Sequence, residues 1–301
     1  MKAIEIKNLS KTYANGTAAL KNINLEVDEG DFFALLGANG AGKTTIIGIL
    51  TDLVTKTTGE IKILGQNIEC DFSKIKKFVG VVPQEINLNI FEKVEDILTT
   101  QAGYFGIPRN EALVHAEFLL KRLSLWEKRH SVPRTLSGGM KRRLMIARAL
   151  IHQPRILFLD EPTAGVDVEI RHDMWEYLRE LNQEGMTVIL TTHYLEEVEQ
   201  MCRNAAIIKS GEIITKDSVK KLVGLMDREV YVVSVQKVKD ISPLSVYKPK
   251  VVDDTTLEVE LGRQETMHNF VLHLAETGMI MTDIRPKGHR LEKLFLEILK
   301  T

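Results

Sequence analysis

The chain has 301 residues, and its 40 lysines and arginines against 41 aspartates and glutamates leave a formal net charge of -1. That length suits two domains with a sizeable core, while the balanced charge excludes a global pull toward nucleic acid or an anionic membrane surface. Cys70 and Cys202, far apart and outside any Cys/His cluster, exclude a disulfide framework and zinc; with no signal-peptide apolar region after Met1 and no run of about 18 apolar residues, the expectation is a soluble protein of a reducing cytoplasm.

In chain order, Ile4–Leu9 and Leu20–Val27 alternate apolar and polar residues, which predicts half-buried antiparallel strands. Phe32–Leu36 is a short continuous apolar run, predicted as a buried strand, and it leads through Gly37-Ala38-Asn39-Gly40-Ala41-Gly42-Lys43-Thr44-Thr45 into an apolar helical stretch ending at Leu50. Glu60–Leu64 and Val79–Val82 read as further strands. Between Lys93 and Leu150 the pattern turns helical, at Val94–Tyr104, Asn110–Leu123 and Gly138–Ile151. Continuous apolar runs then follow at Ile156–Leu159, Val188–Leu190 and Ala205–Ile208, separated by the helical stretches Val168–Gln183 and Tyr194–Met201. Such an alternation predicts a parallel sheet covered on both faces. The character changes near Gly224: Glu229–Val238, Thr256–Leu261 and Met279–Arg285 read as strands, Glu265–Glu276 and Leu291–Leu299 as helices.

Three stretches carry chemistry. Gly37–Thr44 fits G-x-x-x-x-G-K-[ST] with a strand before it and a helix after it. Glycines let successive backbone N–H groups curl round an anion, and the helix N-terminus adds its positive dipole end. Lys43 is then placed to reach β- and γ-phosphates, and the Thr44 hydroxyl to ligate Mg²⁺. The run Ile156–Leu159 ends in Asp160 and Glu161; downstream of a phosphate loop, a carboxylate at that strand end holds Mg²⁺, and its neighbour serves as base toward the attacking water. In Leu136-Ser137-Gly138-Gly139-Met140, Ser137 is a natural N-cap. Two glycines opening a helix cost stability, so they point to close approach of a backbone or a ligand, here a second anion site. The basic run Lys141-Arg142-Arg143 reads as a solvated helix face.

Over its first 215 or so residues the chain resembles the ATP-binding subunits of ABC transporters. Leu136–Met140 matches that family's signature loop, with Met140 where glutamine is usual. The remaining motifs stand in family order. By this resemblance Tyr13 is the aromatic that stacks on adenine, and Gln84 senses Mg²⁺ and the water. Asp167, in Ala164-Gly165-Val166-Asp167, is the aspartate at the dimer seam, with Ala164 replacing the usual serine, and His193 is the switch histidine at the γ-phosphate. Singly, Tyr13 reads as a packing aromatic and His193 as an ordinary exposed histidine; the ordered set is what carries the resemblance.

The resemblance implies an α/β P-loop NTPase core of the ABC type over residues 1–222, with an antiparallel β-layer and a helical subdomain at about 85–152, and a small C-terminal α+β domain over 223–301. It also implies an ATPase using ATP and Mg²⁺. Two cassettes, in a homodimer or with a homologous partner, would pack head to tail, each ATP lying between Gly37–Thr45 of one chain and Ser137–Gly139 of the other. A separate multi-span permease would dock near Glu85–Val94, with no nucleic acid partner, and the chain would sit on the cytoplasmic face of the membrane. The neighbourhood of Gly138–Leu144 and the C-terminal appendage resemble the ATPases of type-2 (ABC-2) exporters of drugs and polysaccharides. Two other readings stay open: a soluble ABC ATPase of translation or repair, though neither a second cassette nor a long heptad insertion is present, and a non-hydrolysing regulator, which Glu161 disfavours.

Overall fold

Alternation and continuity of apolar residues sort the strands in the computed structural model, which describes residues 1–70, 72–163, 168–224, 228–262 and 265–287. Lys2–Thr12 (β1) and Ala18–Asp28 (β2) bury alternate side chains and pair antiparallel, Ile4 opposite Val27 and Ile6 opposite Leu25. Phe32–Leu36 (β3) is buried at every position, as a strand covered on both faces must be. Helix Lys43–Leu50 (α1) follows, and Thr58–Ile63 (β4) with Gln66–Asn67 (β5) completes a four-stranded antiparallel sheet in the order β2-β1-β4-β5.

A short helix, Phe72–Ile75 (α2), leads to Val79–Val82 (β6). The helical segment comprises Val94–Tyr104 (α3), Arg109–Arg122 (α4) and Gly138–Leu150 (α5). Then come Ile156–Asp160 (β7), Val168–Gln183 (α6), Thr187–Thr192 (β8), Leu195–Met201 (α7), Asn204–Lys209 (β9) and Glu212–Ser218 (β10). The second sheet runs β10-β9-β3-β8-β7-β6, and β9, β3, β8, β7 and β6 are mutually parallel. Helix α1 buries Ile46, Ile47, Ile49 and Leu50 in one cluster with Ile4, Leu25 and Ile61 of the antiparallel sheet and Phe33 and Phe158 of the parallel one. A short helix this apolar on all sides is stable only when enclosed between layers. The phosphate loop at its start is therefore held from both sheets.

A second compact unit begins at Ser218, the first closing at Asp217. It opens on Val219–Gly224 (α8), and the strands Arg228–Val235 (β11), Lys250–Asp253 (β12), Thr256–Gly262 (β13) and Met281–Pro286 (β14) form an antiparallel sheet in the order β12-β13-β11-β14. Helix Met267–Glu276 (α9) buries Phe270 and Leu274 in the same cluster as Val233, Leu257 and Val259 of the sheet. Tyr247 closes that core, its ring edge-on to Phe270 at 5.2 Å and its hydroxyl 2.7 Å from His273 Nδ1.

β12, β10 and α8 are among the elements that escape a reading of periodicity. β12 has all its residues exposed and exists because the turn at Asp254–Thr255 returns it onto β13, with Thr255 N donating to Asp253 Oδ1 at 2.8 Å. β10 is a polar edge strand folded onto β9 by Ser210 and Gly211, both at positive φ (50° and 81°), as a tight hairpin requires. α8 belongs with the second unit, which therefore starts before the 222/223 boundary read from the sequence. The expected helix Leu291–Leu299 lies outside the described residues.

Candidate nucleotide site

The loop Gly37–Gly42 leaves the carboxyl end of β3 and turns into α1 in a space that side chains would fill. A Cβ on Gly37 would lie 2.7 Å from both the carbonyl oxygen and Cγ2 of Ile208 on β9. Gly42 has φ 113°, and its Cβ would lie 2.7 Å from Leu20 Cδ2 and 2.9 Å from the Ala19 carbonyl on β2. Ala41 fits, buried, with its N–H donating to Ala38 O at 3.1 Å; Asn39 and Gly40 are exposed, Gly40 at φ 80°. Gly42→Ala meets both a steric and a backbone penalty, about 1–3 kcal/mol for the left-handed conformation alone. It is expected to lower the melting temperature, by about 2–4 °C per kcal/mol, in calorimetry; an unchanged transition counts against this packing.

Parallel register then gathers residues far apart in sequence. Val82 pairs with Leu159, and Leu159 with Leu190, so the ends of β6, β7 and β8 lie side by side. Beyond those ends stand Gln84, Glu161 and His193. Glu161 takes a left-handed backbone (φ 45°), its N–H donating to Thr191 O at 3.0 Å. Its nearly buried carboxylate lies 3.6 Å from Lys43 Nζ and 3.3 Å from His193 Nδ1, and accepts from Gln84 Nε2 at 3.3 Å. Lys43 Nζ, itself buried, also donates to Gly37 O at 2.8 Å and Ala38 O at 3.2 Å. Asp160 is buried beside Glu161, its carboxylate accepting from Thr191 Oγ1. A cleft of about 340 Å³ opens here, lined by Gly40, Lys43, Thr44, Gln84 and Glu161 among others.

Tyr13 is 38 % exposed, its hydroxyl sharing a hydrogen bond with Thr45 Oγ1 at 3.3 Å and its ring 4.9 Å from Lys11 Nζ. It thus borders the loop-proximal turn of α1. Ser137 caps α5, accepting from Met140 N at 3.2 Å. Ser137 and Gly138 are exposed, Gly139 is buried, and a Cβ on Gly138 would meet nothing within 4 Å. None of the three lines the cleft of their own chain. Asp167 lies outside the described residues.

Two participants are not evident from motif reading. Thr191 bonds the Asp160 carboxylate and also accepts from Glu161 N at 3.2 Å through its hydroxyl. Arg142, expected on a solvated face, is 3 % exposed. Its signal was the inward stripe Gly139, Arg142, Ile146, Ala149, all buried at helical spacing. Burial pushes the Arg142 guanidinium below its ordinary value, the nearby charge of Asp160 opposing the shift.

The cradle fits a polyphosphate: positive-φ glycines, a buried ammonium and a helix start converge on one cleft. The Thr44 hydroxyl, the Gln84 amide and the Asp160 carboxylate offer the hard oxygens that suit Mg²⁺. Among the described residues no group of three or more His, Cys, Asp or Glu forms a metal cage.

A parallel sheet with this strand–loop–helix and these strand ends defines a P-loop nucleotide-binding ATPase domain. Residues 20–164 match the ABC transporter family. The linearmycin resistance ATP-binding protein of Bacillus subtilis is 32% identical over 308 residues, covering 98% of this chain and 97% of that protein. The Nod factor export ATP-binding protein I of Rhizobium etli is 38% identical over 235 residues, 77% of this chain and 74% of that one. A dimeric ATP-binding cassette solved in a post-hydrolysis state with ADP and Pi is 29% identical, with a TM-score of 0.66 over 72% of this chain and 98% of its own. The chain belongs to the ATP-binding subunits of the ABC transporter family. It is an ATPase subunit of that family, and the similarity to exporter ATPases read from its sequence is borne out by these relatives.

Proposed function

We propose that this chain powers an exporter, hydrolysing ATP between two cassettes packed head to tail and driving a separate membrane permease. The observation that carries the reading is the convergence of Lys43 Nζ, His193 Nδ1 and Gln84 Nε2 on the Glu161 carboxylate beside the phosphate loop. In this reading Gly37–Thr45 cradle the phosphates through backbone N–H groups, and Lys43 neutralises them. Tyr13 offers its ring to the adenine. Thr44, Gln84 and Asp160 would hold Mg²⁺, which when bound supplies neutralisation of the phosphate charge. Glu161 orients the attacking water and accepts its proton. His193 and Gln84 stand against Glu161 and hold it toward the cleft.

The trans half of the site is Ser137–Gly139, with Asp167 at the seam. Its support is the exposed, capped start of α5, where Gly138 leaves open space that a partner's phosphate can enter. Among the described residues no helix is long and apolar enough to cross a membrane; in this reading a separate permease carries the transport path, and the chain sits peripherally on its cytoplasmic face. Ile86, Ile90 and Phe91 are exposed within Glu85–Val94, an apolar surface suited to a permease's cytoplasmic helix. The relatives' names, one for linearmycin resistance and one for Nod factor export, favour export as the direction.

Purification of the tagged full chain from detergent-solubilised membranes tests this reading. The expected result is recovery of a multi-span membrane protein together with the chain. Recovery of ribosomes or DNA, without such a protein, returns the case to a translation or repair ATPase.

A further inference from the structure

Arg142 stands out among the charged residues of the helical segment, because it is buried while its sequence neighbours Lys141 and Arg143 are only half-buried. Its guanidinium reaches out of α5 to three carbonyl groups. Nη1 donates to Pro83 O at 2.8 Å, and Nη2 donates to Gln84 O at 2.9 Å and to Glu161 O at 3.3 Å. These acceptors belong to two separate strand ends. A buried charge bonded only to main-chain carbonyls is costly, and a planar fork is the one side chain able to hold several acceptors in fixed geometry. Beneath it, the Glu161 backbone sits at φ 45°, a conformation that persists only where surroundings over-determine it.

We propose that Arg142 is a positioning residue for hydrolysis: it ties the main chain of Gln84 to that of Glu161, keeping the amide of one at bonding distance from the carboxylate of the other. The inference rests on the assignment of Glu161 as base. Without the tie, the loop after β6 is free to carry Gln84 away from β7, and the 3.3 Å bond from Gln84 Nε2 to Glu161 loses its fixed register. Arg148 provides an internal comparison. It lies on the same helix and grips the same loop, Nη1 donating to Asn87 O at 2.9 Å and Nη2 to Asn87 Oδ1 at 2.5 Å, and burial likewise lowers its pKa. None of those bonds involves Glu161.

Steady-state kinetics and ATP titration on the full chain, with Arg142→Gln, Arg142→Lys, Arg148→Gln and Glu161→Gln, test the proposal. Misplacement by an ångström can cost about 100-fold in rate. Arg142→Gln is therefore expected to lower kcat about 10- to 100-fold while KM for ATP stays within about threefold. Arg142→Lys, which keeps the charge without the fork, is expected to recover part of kcat, and Arg148→Gln to stay within about twofold of the parent. A wild-type kcat in Arg142→Gln overturns the proposal, and where Glu161→Gln is inactive it does so while leaving the site assignment standing. An equal fall in Arg142→Gln and Arg148→Gln also overturns it, since general loosening of α5 then explains both. If Arg142→Gln does not fold, Arg142→Lys decides: kcat below the parent at unchanged KM supports the tie, and parental kcat refutes it.

Discussion

Glu161→Gln is expected to stop turnover while leaving nucleotide binding intact. The amide has nearly the carboxylate's shape, so the phosphate loop and the Lys43 contacts to Gly37 O and Ala38 O are undisturbed. What disappears is the negative charge facing Lys43 Nζ and the ability to take a proton from water, the latter worth roughly 10²- to 10⁴-fold in rate for a positioned base. A loss of about 100-fold or more is therefore expected in a phosphate-release assay, with ATP affinity close to the parent. Because bound nucleotide is no longer consumed, the variant is also expected to accumulate as an ATP-dependent dimer, seen as an earlier peak in gel filtration. Normal turnover removes Glu161 from the catalytic role. A dead enzyme that stays monomeric with ATP keeps the role but contradicts the head-to-tail sandwich.

Lys43→Ala is expected to weaken ATP binding about 10- to 150-fold, the range for a hydrogen bond to a charged group at 1.5–3 kcal/mol. The side chain is 5% exposed, so its charge acts with little screening by water. Its removal also strips Gly37 O and Ala38 O of a donor and takes the cation away from Glu161. The effect belongs chiefly to affinity, in contrast to Glu161→Gln, and equilibrium titration with a fluorescent ATP analogue separates the two. Undiminished affinity counts against the cradle.

The phosphate loop was legible because its requirements are local. Gly37, Gly42 and Lys43 must stand at fixed offsets between a strand and a helix, and a short window of sequence displays all of that. The same holds for the capping serine, whose bond to Met140 N spans a single helical turn. β7 and β8 were legible as buried strands because the runs Ile156–Leu159 and Val188–Leu190 are covered on both faces and continuously apolar. β12 was not, since an edge strand with all its residues exposed carries no burial pattern and owes its existence to a turn and a waiting neighbour.

Arg142 marks the limit most sharply. Among Lys141 and Arg143 its charge reads as a solvent face, and its carbonyl partners on Pro83 and Gln84 lie 59 and 58 residues away in the chain. Only the packing of α5 against the ends of β6 and β7 turns that cation inward. The sequence by itself determined that phosphate is bound, which strand ends carry the carboxylates and which family the chain resembles, because each depends on residue type at short spacing. The tertiary structure alone decided that Lys43, Gln84 and His193 meet on one carboxylate, Gln84 lying 77 residues from Glu161. Parallel strand register sets those distances, and register comes from long-range backbone pairing that no local window contains.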